Sequence, residues 1–189
     1  MIISFSGPSG IGKGFVKERL LQVYPNIEEL AWFTTRPLRP NEQCGNRIHV
    51  SLSKFNKFVK SNKLILLQDL YGHRYGLKKD GLLPSPHVKL TEFHPDNLKE
   101  ALKINPEIFA IGFVTFDLSL LYNRLAIFRH TESSMEINKR IAVANIEIKS
   151  ILRQKSLFMS VIEVSKTSEA KVFDQTLTIL TPHLSEKGG

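Results

Sequence analysis

Ile2-Ile3-Ser4-Phe5-Ser6-Gly7-Pro8-Ser9-Gly10-Ile11-Gly12-Lys13-Gly14-Phe15-Val16-Lys17-Glu18-Arg19-Leu20-Leu21, almost at the start of the chain, decides its architecture. The first five residues are β-rich and largely apolar, the glycines interrupt any regular run, and from Phe15 the apolar residues recur at helical spacing. The order is strand, loop, helix. In that setting Gly7 to Lys13 reads G-x-x-x-x-G-K, a spacing with a mechanism. Glycines let the backbone curl so that its N–H groups converge, and the following helix turns its positive end to the same point. A phosphate is the anion such a cradle suits, with Lys13 reaching its outer oxygens. A glycine-rich turn beside a surface lysine would explain neither the strand before it nor the helix after it.

The rest of the composition narrows the field. Of 189 residues, 42% are hydrophobic and 23% charged, which is enough to bury one core. The expectation is a single domain over residues 1 to 184 with a short tail at 185 to 189. No apolar run approaches the roughly 20 residues that span a membrane, and the apolar start lacks a basic leader, so a cytoplasmic protein with no membrane partner is expected. Cys44 is the single cysteine, which excludes an intrachain disulfide and a multi-cysteine metal site. The formal charge of +8 points to an anionic partner. A small nucleotide, nucleic acid and a solvated basic face all fit that charge, but nucleic acid has nothing else in its favour. Nothing in the sequence bears on oligomeric state.

A second anion site is expected about 20 residues after the first loop. Thr34-Thr35-Arg36-Pro37-Leu38-Arg39-Pro40-Asn41-Glu42-Gln43-Cys44-Gly45 cannot continue as helix and offers two arginines, whose planar forks suit phosphate. Here the sequence resembles the guanylate kinase family of nucleoside monophosphate kinases, which joins G-P-S-G-x-G-K to T-T-R-x-x-R-x-G-E-x-x-G. A further match is Tyr71-Gly72-His73-Arg74-Tyr75-Gly76, similar to the family's H-G-x-x-Y-G.

The resemblance implies an α/β P-loop kinase fold. It has a parallel core sheet built from residues 1 to 33 and 88 to 184 with helices on both faces, an acceptor-binding insert at about 34 to 87 and a lid at about 124 to 140. It implies ATP at Gly7, Ser9, Gly10, Ile11, Gly12, Lys13, Gly14 and Phe15. The acceptor phosphate falls to Arg36, Arg39 and Tyr75, with Thr35 and Glu42 supporting their loop and Glu92 as the carboxylate ending a core strand. Arg124, Arg129 and Arg140 occupy the places of the lid arginines, which with Lys13 neutralise charge on the transferred group.

Four departures matter. In the usual phosphate-loop motif a Ser or Thr after the lysine gives Mg²⁺ a hydroxyl, and the adenylate kinases have Lys-Gly there with a threonine next. Here Gly14 is followed by Phe15, so either Mg²⁺ is held mainly by ATP and water or catalysis is weakened. The strand after Gly45 lacks the family's phosphate-binding tyrosine. Counting back from Gly72, the glutamate that reads guanine falls at or near Leu66, and Gln68 or Asp69 could replace it only through a register shift. From 78 to 87, Asp80-Gly81 and Pro84-Ser85-Pro86 predict a loop in place of a helix.

Downstream, 88 to 93 and 108 to 114 read as buried strands around a short helix at 95 to 103. Asp117 caps a helix through Leu125, and Ser133 with Glu136 makes a capping box opening a helix to about Gln154. A last strand at 160 to 164 and a last helix at 168 to 180 follow, with Lys166-Thr167 placed near adenine by position alone. The expected activity is transfer of the γ-phosphoryl group of ATP to an acceptor phosphate, GMP by resemblance. A phosphorylated sugar, as in the related ribose bisphosphate phosphokinases, another nucleotide, or a non-catalytic module of the same fold are the alternatives.

Overall fold

Two runs without an exposed residue, Ile2–Ser6 and Ile108–Val114, lie side by side as parallel strands at the centre of the protein. The computed structural model describes residues 1–38, 46–128, 132–165 and 168–185. In chain order the elements are β1 (Ile2–Ser6), α1 (Lys13–Val23), β2 (Glu28–Glu29), β3 (Trp32–Thr34), β4 (Arg47–His49), α2 (Leu52–Lys60), β5 (Leu64–Leu70), β6 (His73–Lys78), β7 (Lys89–Glu92), α3 (Pro95–Ile104), β8 (Ile108–Val114), α4 (Leu118–Phe128), α5 (Ser134–Arg153), β9 (Ser160–Glu163) and α6 (Glu169–Ser185).

The larger sheet has the order β2-β7-β1-β8-β9 and every pairing in it is parallel. Strands covered by helices on both faces must be apolar on both, which is why β1 and β8 read as near-continuous hydrophobic runs. Helix α1 packs against α6, while α5 packs against both α3 and α4. Because β1 has a neighbour from later in the chain on each side, the crevice of this sheet opens at its carboxyl end, where ligands of open α/β sheets bind. The glycine loop leaves β1 at that place.

The smaller sheet has the order β4-β3-β6-β5, with β3 and β4 parallel and the other pairs antiparallel. Its hairpin turns on Tyr71 and Gly72, both at positive φ, as a two-residue turn matched to strand twist requires. The ladder shifts between Ile65 and Gln68, so Leu66 and Leu67 share the span opposite Gly76. Leu66 takes φ 51 and is 2% exposed, with its carbonyl oxygen accepting from Asn97 Nδ2 at 3.1 Å. The two sheets are tied by Trp32, whose Nε1 donates to Thr91 Oγ1 at 2.9 Å.

The capping expectations hold in detail. Asp117 Oδ1 accepts from the Ser119 and Leu120 amides, and Ser133 with Glu136 forms the complete box at the start of α5. The segment 78 to 87 is a short 3-10 turn at Lys79–Leu82 followed by irregular chain. Helix α6 runs past residue 180, through Pro182, because its last turn stays packed: Leu184 is buried and the His183 ring lies 4.5 Å from that of Phe109. Helix α2 has no counterpart in the sequence reading. It is only nine residues long and lysine-rich, and among its residues only Phe55 is buried.

Candidate active site

The phosphate loop is shaped by what its glycines must avoid. A Cβ on Gly7 would lie 2.6 Å from the Phe113 carbonyl oxygen, so only glycine lets the loop leave β1 this close to β8. Gly12 sits at φ 110, a conformation that side chains resist, and starts α1 by accepting from the Val16 amide at 3.2 Å. The Lys13 ammonium is held at the loop's mouth by the carbonyl oxygens of Gly7 at 2.6 Å and Pro8 at 3.1 Å. Ser9 lines the same cleft, Gly10 abuts Leu125, and Ile11 is buried. Gly14 is exposed and a Cβ there would meet nothing within 4 Å. Phe15 is half-buried against the core with the Arg19 guanidinium 5.8 Å above its ring.

The opposite wall comes from the small sheet and α5. One cleft brings Gly7, Ser9, Lys13 and Glu92 together with Arg47, Gln68, Tyr71, Tyr75, Arg140 and Glu147. An adjoining cavity shares Tyr71, Tyr75 and Arg140 with it and adds Arg36 and Lys139. Thr34 Oγ1 accepts from the Arg36 amide, and the Arg36 carbonyl meets His49 Nδ1 at 2.6 Å, which pins this arginine's backbone. Thr35 Oγ1 accepts from the Arg74 amide at 2.9 Å. These contacts hold the start of the arginine segment against β6.

Arg140 is gripped by Glu132 through two hydrogen bonds of 2.5 and 2.7 Å and lies 4.2 Å over the Tyr71 ring. Arg124, from α4, donates to the Ile11 carbonyl at 3.0 Å and lies 3.8 Å from Glu169, so it braces the loop from behind. Of the other expected site residues, Arg39, Glu42 and Arg129 lie outside the described residues, as do Cys44, Lys166 and Thr167.

Glu92 ends β7 at 3.8 Å from Lys13 and 3.7 Å from Lys17. Burial works to raise its carboxyl, but Lys13, Lys17 and Arg47 outweigh burial and hold it below its usual value. Two further titratable groups in the cleft escaped the sequence reading. His94 caps α3, with Nδ1 accepting from the Asp96 amide, and burial together with Lys13 outweighs Asp96 to lower its pKa. Glu147 lies two turns beyond Arg140 on α5 and is 7% exposed. Burial, reinforced by Asp96 and Glu92 against Lys13, pushes it up to about 7. A buried glutamate at the helical spacing of Ile137, Ala144 and Ile148 was the available signal, since a charge on a core stripe needs an explanation.

The loop backbone and the start of α1 suit the phosphates of a nucleotide. For a metal the chain offers less: Gly14 has no hydroxyl, and among the described residues no group of three or more His, Cys, Asp or Glu side chains could hold an ion. Among the described residues no helix is long and apolar enough to cross a membrane.

No protein-family model matches the chain. It is similar to the guanylate kinase of Clostridioides difficile, with 31% identity over 155 residues covering 80% of this chain and 75% of that one. With the guanylate kinase of Thermobifida fusca it shares 28% identity over 179 residues, 93% of this chain and 88% of the relative. The crystal structure of guanylate kinase from Anaplasma phagocytophilum superposes with a TM-score of 0.72 at 19% identity, covering all of this chain and 87% of that one, which shows a shared fold. With the phosphate loop facing an arginine- and tyrosine-lined wall, and with this extent of similarity to relatives of one kind, the chain belongs to the guanylate kinase family.

Proposed function

We propose that the protein transfers the γ-phosphoryl group of ATP to GMP, giving ADP and GDP. The observation that carries this reading is the single cleft with the phosphate loop on one wall and Tyr75, Arg47 and Arg140 on the other. A donor phosphate on the loop then faces an acceptor phosphate across a gap closed by α5.

In this reading the backbone of Gly7 to Gly14 and the start of α1 hold the ATP phosphates, and Lys13 turns from the loop carbonyls to their outer oxygens. Arg36, Arg39 and Tyr75 hold the acceptor phosphate, and Thr35 and Glu42 keep that loop in place. Arg140, released from Glu132, and Arg129 neutralise charge on the group in transit, while Arg124 keeps the loop in shape. An acceptor oxygen forms the new P–O bond as the bond between the γ-phosphorus and the ADP oxygen breaks. That oxygen is already anionic, so positioning and charge supply the catalysis and no general base is needed. Mg²⁺ is carried by ATP and water in this scheme and adds charge neutralisation, and no step depends on a bond between metal and protein.

A phosphorylated sugar is the second reading. Leu66, at or near the place where counting puts the family's guanine reader, is apolar and buried within the register shift of β5. ADP release with Mg-ATP, measured against GMP, other nucleoside monophosphates and ribose phosphates, separates the two. Turnover with GMP is expected, reduced by roughly 10²- to 10³-fold or more in Lys13→Ala. Turnover with a sugar phosphate alone selects the second reading.

A further inference from the structure

The cleft contains two carboxylates from described residues, and their situations differ. Glu92 is engaged by the ammonium groups of Lys13 and Lys17. Glu147 has Oε1 facing His94 Nε2 at 3.4 Å, while its buried Oε2 has no hydrogen-bond partner. A buried acceptor without a donor costs stability, and native interiors seldom leave one. Glu147 lines the cleft, so a ligand seated there could bring the donor that this oxygen lacks.

Helix geometry says which part of the ligand. Arg140 and Glu147 are seven residues apart, hence on one face of α5 and about 10 Å apart along its axis. Ala144 lies between them, small and buried. Arg140 stands with Tyr71 and beside Tyr75 at the cationic end of the cleft, where a phosphate belongs. Glu147 stands two turns further along the helix, at a separation comparable with a nucleoside monophosphate from phosphate to base, and faces His94; Gln68 lines the same cleft. The groups facing it are His94 and Asp96 from the start of α3, Glu92 from β7, Lys13 from α1 and Tyr71 from the hairpin turn. His94, neutral and with Nδ1 already used as an acceptor, turns Nε2–H to Glu147 Oε1 and leaves Oε2 for the incoming molecule. Guanine offers two adjacent donors, N1–H and the 2-amino group, that a carboxylate can accept together.

We infer that Glu147 is a specificity-determining residue of the acceptor site, its free oxygen accepting from the N–H donors on the edge of the acceptor's guanine. This rests on the phosphotransferase reading above. The ionised carboxylate accepts with both oxygens and the protonated one loses an acceptor, so acceptor binding weakens as pH falls through the titration of Glu147 near 7.

Steady-state kinetics of the full chain and of Glu147→Gln, with GMP and IMP as acceptors on both sides of neutrality, test this at saturating Mg-ATP. IMP keeps N1–H and lacks the 2-amino group. Glu147→Gln is expected to raise KM for GMP by roughly 10- to 100-fold, to leave KM for ATP nearly unchanged and to narrow the preference for GMP over IMP. It should also remove the rise in KM at low pH that wild type shows beyond the titration of GMP itself, which is common to both proteins. An unchanged preference and pH profile overturns the inference, as does an effect on KM for ATP instead of GMP. If Glu147→Gln melts too early to assay, Glu147→Asp is judged by the same preference ratio. Wild type inert towards GMP means that the parent reading has failed and takes this one with it. Wild type active with GMP and a variant indistinguishable from it means that only the inference has failed.

Discussion

At the scale of single residues, two glycines of the same loop answer to different constraints. Gly7 is fixed by its neighbour, because a Cβ there meets a backbone carbonyl that cannot yield. Gly7→Ala is expected to cost about 1–3 kcal/mol, the usual range for forced overpacking, and to weaken ATP binding. Thermal melting and nucleotide titration measure the two effects. Gly14 is fixed by nothing that the structure shows, since its surroundings are open. Gly14→Thr is therefore expected to keep or slightly raise the melting temperature, because glycine is the poorer helix former. It also restores a hydroxyl where phosphate loops present one to the metal, so KM for Mg-ATP is expected to fall. An unchanged KM would show that this enzyme does not use that position.

At the scale of elements, α5 links the two ends of the cleft, and its start is secured by local chemistry. Ser133→Ala removes the hydroxyl that accepts from the Glu136 amide and frees Glu136 from the box. A loss of about 1 kcal/mol is expected, read as a lower melting temperature. KM for the acceptor should rise with it, because Arg140 lies in the second turn. The Tyr71–Gly72 hairpin meets the same helix through the stacking of Arg140 on Tyr71. Sheet and helix are therefore joined at this wall of the cleft.

At the scale of the whole molecule, Glu147 makes global stability depend on pH. Its folded value of about 7 lies above the 4.5 of an unperturbed glutamate, so the folded state holds this proton more tightly than the unfolded chain. The contribution is complete below about 4.5 and is lost as pH rises towards 7, for a total of about 3 kcal/mol. Denaturant melts of wild type are expected to weaken over that window. In Glu147→Gln this part of the slope should vanish and stability near pH 8 should rise. A variant that is more stable yet poorer at binding GMP would be the mark of a group kept for its ligand.

Much of this was legible in the residue order because it is local. Strand, glycine loop and helix are announced within twenty residues, and the caps at Asp117 and Ser133 by partners three positions away. Those interactions depend only on neighbours along the chain, so spacing suffices to read them. The pairing of β3 with β6, the bulge that buries Leu66, and the meeting of Lys13, His94 and Glu147 join residues tens of positions apart. No periodicity encodes which distant side chain will share a cavity, or which oxygen will be left without a donor. The sequence by itself determined a phosphate loop on an α/β core. Only the tertiary structure, by packing α3, α5 and β7 around one cleft, decided that a buried glutamate on α5 would face His94 with one oxygen and leave the other without a donor.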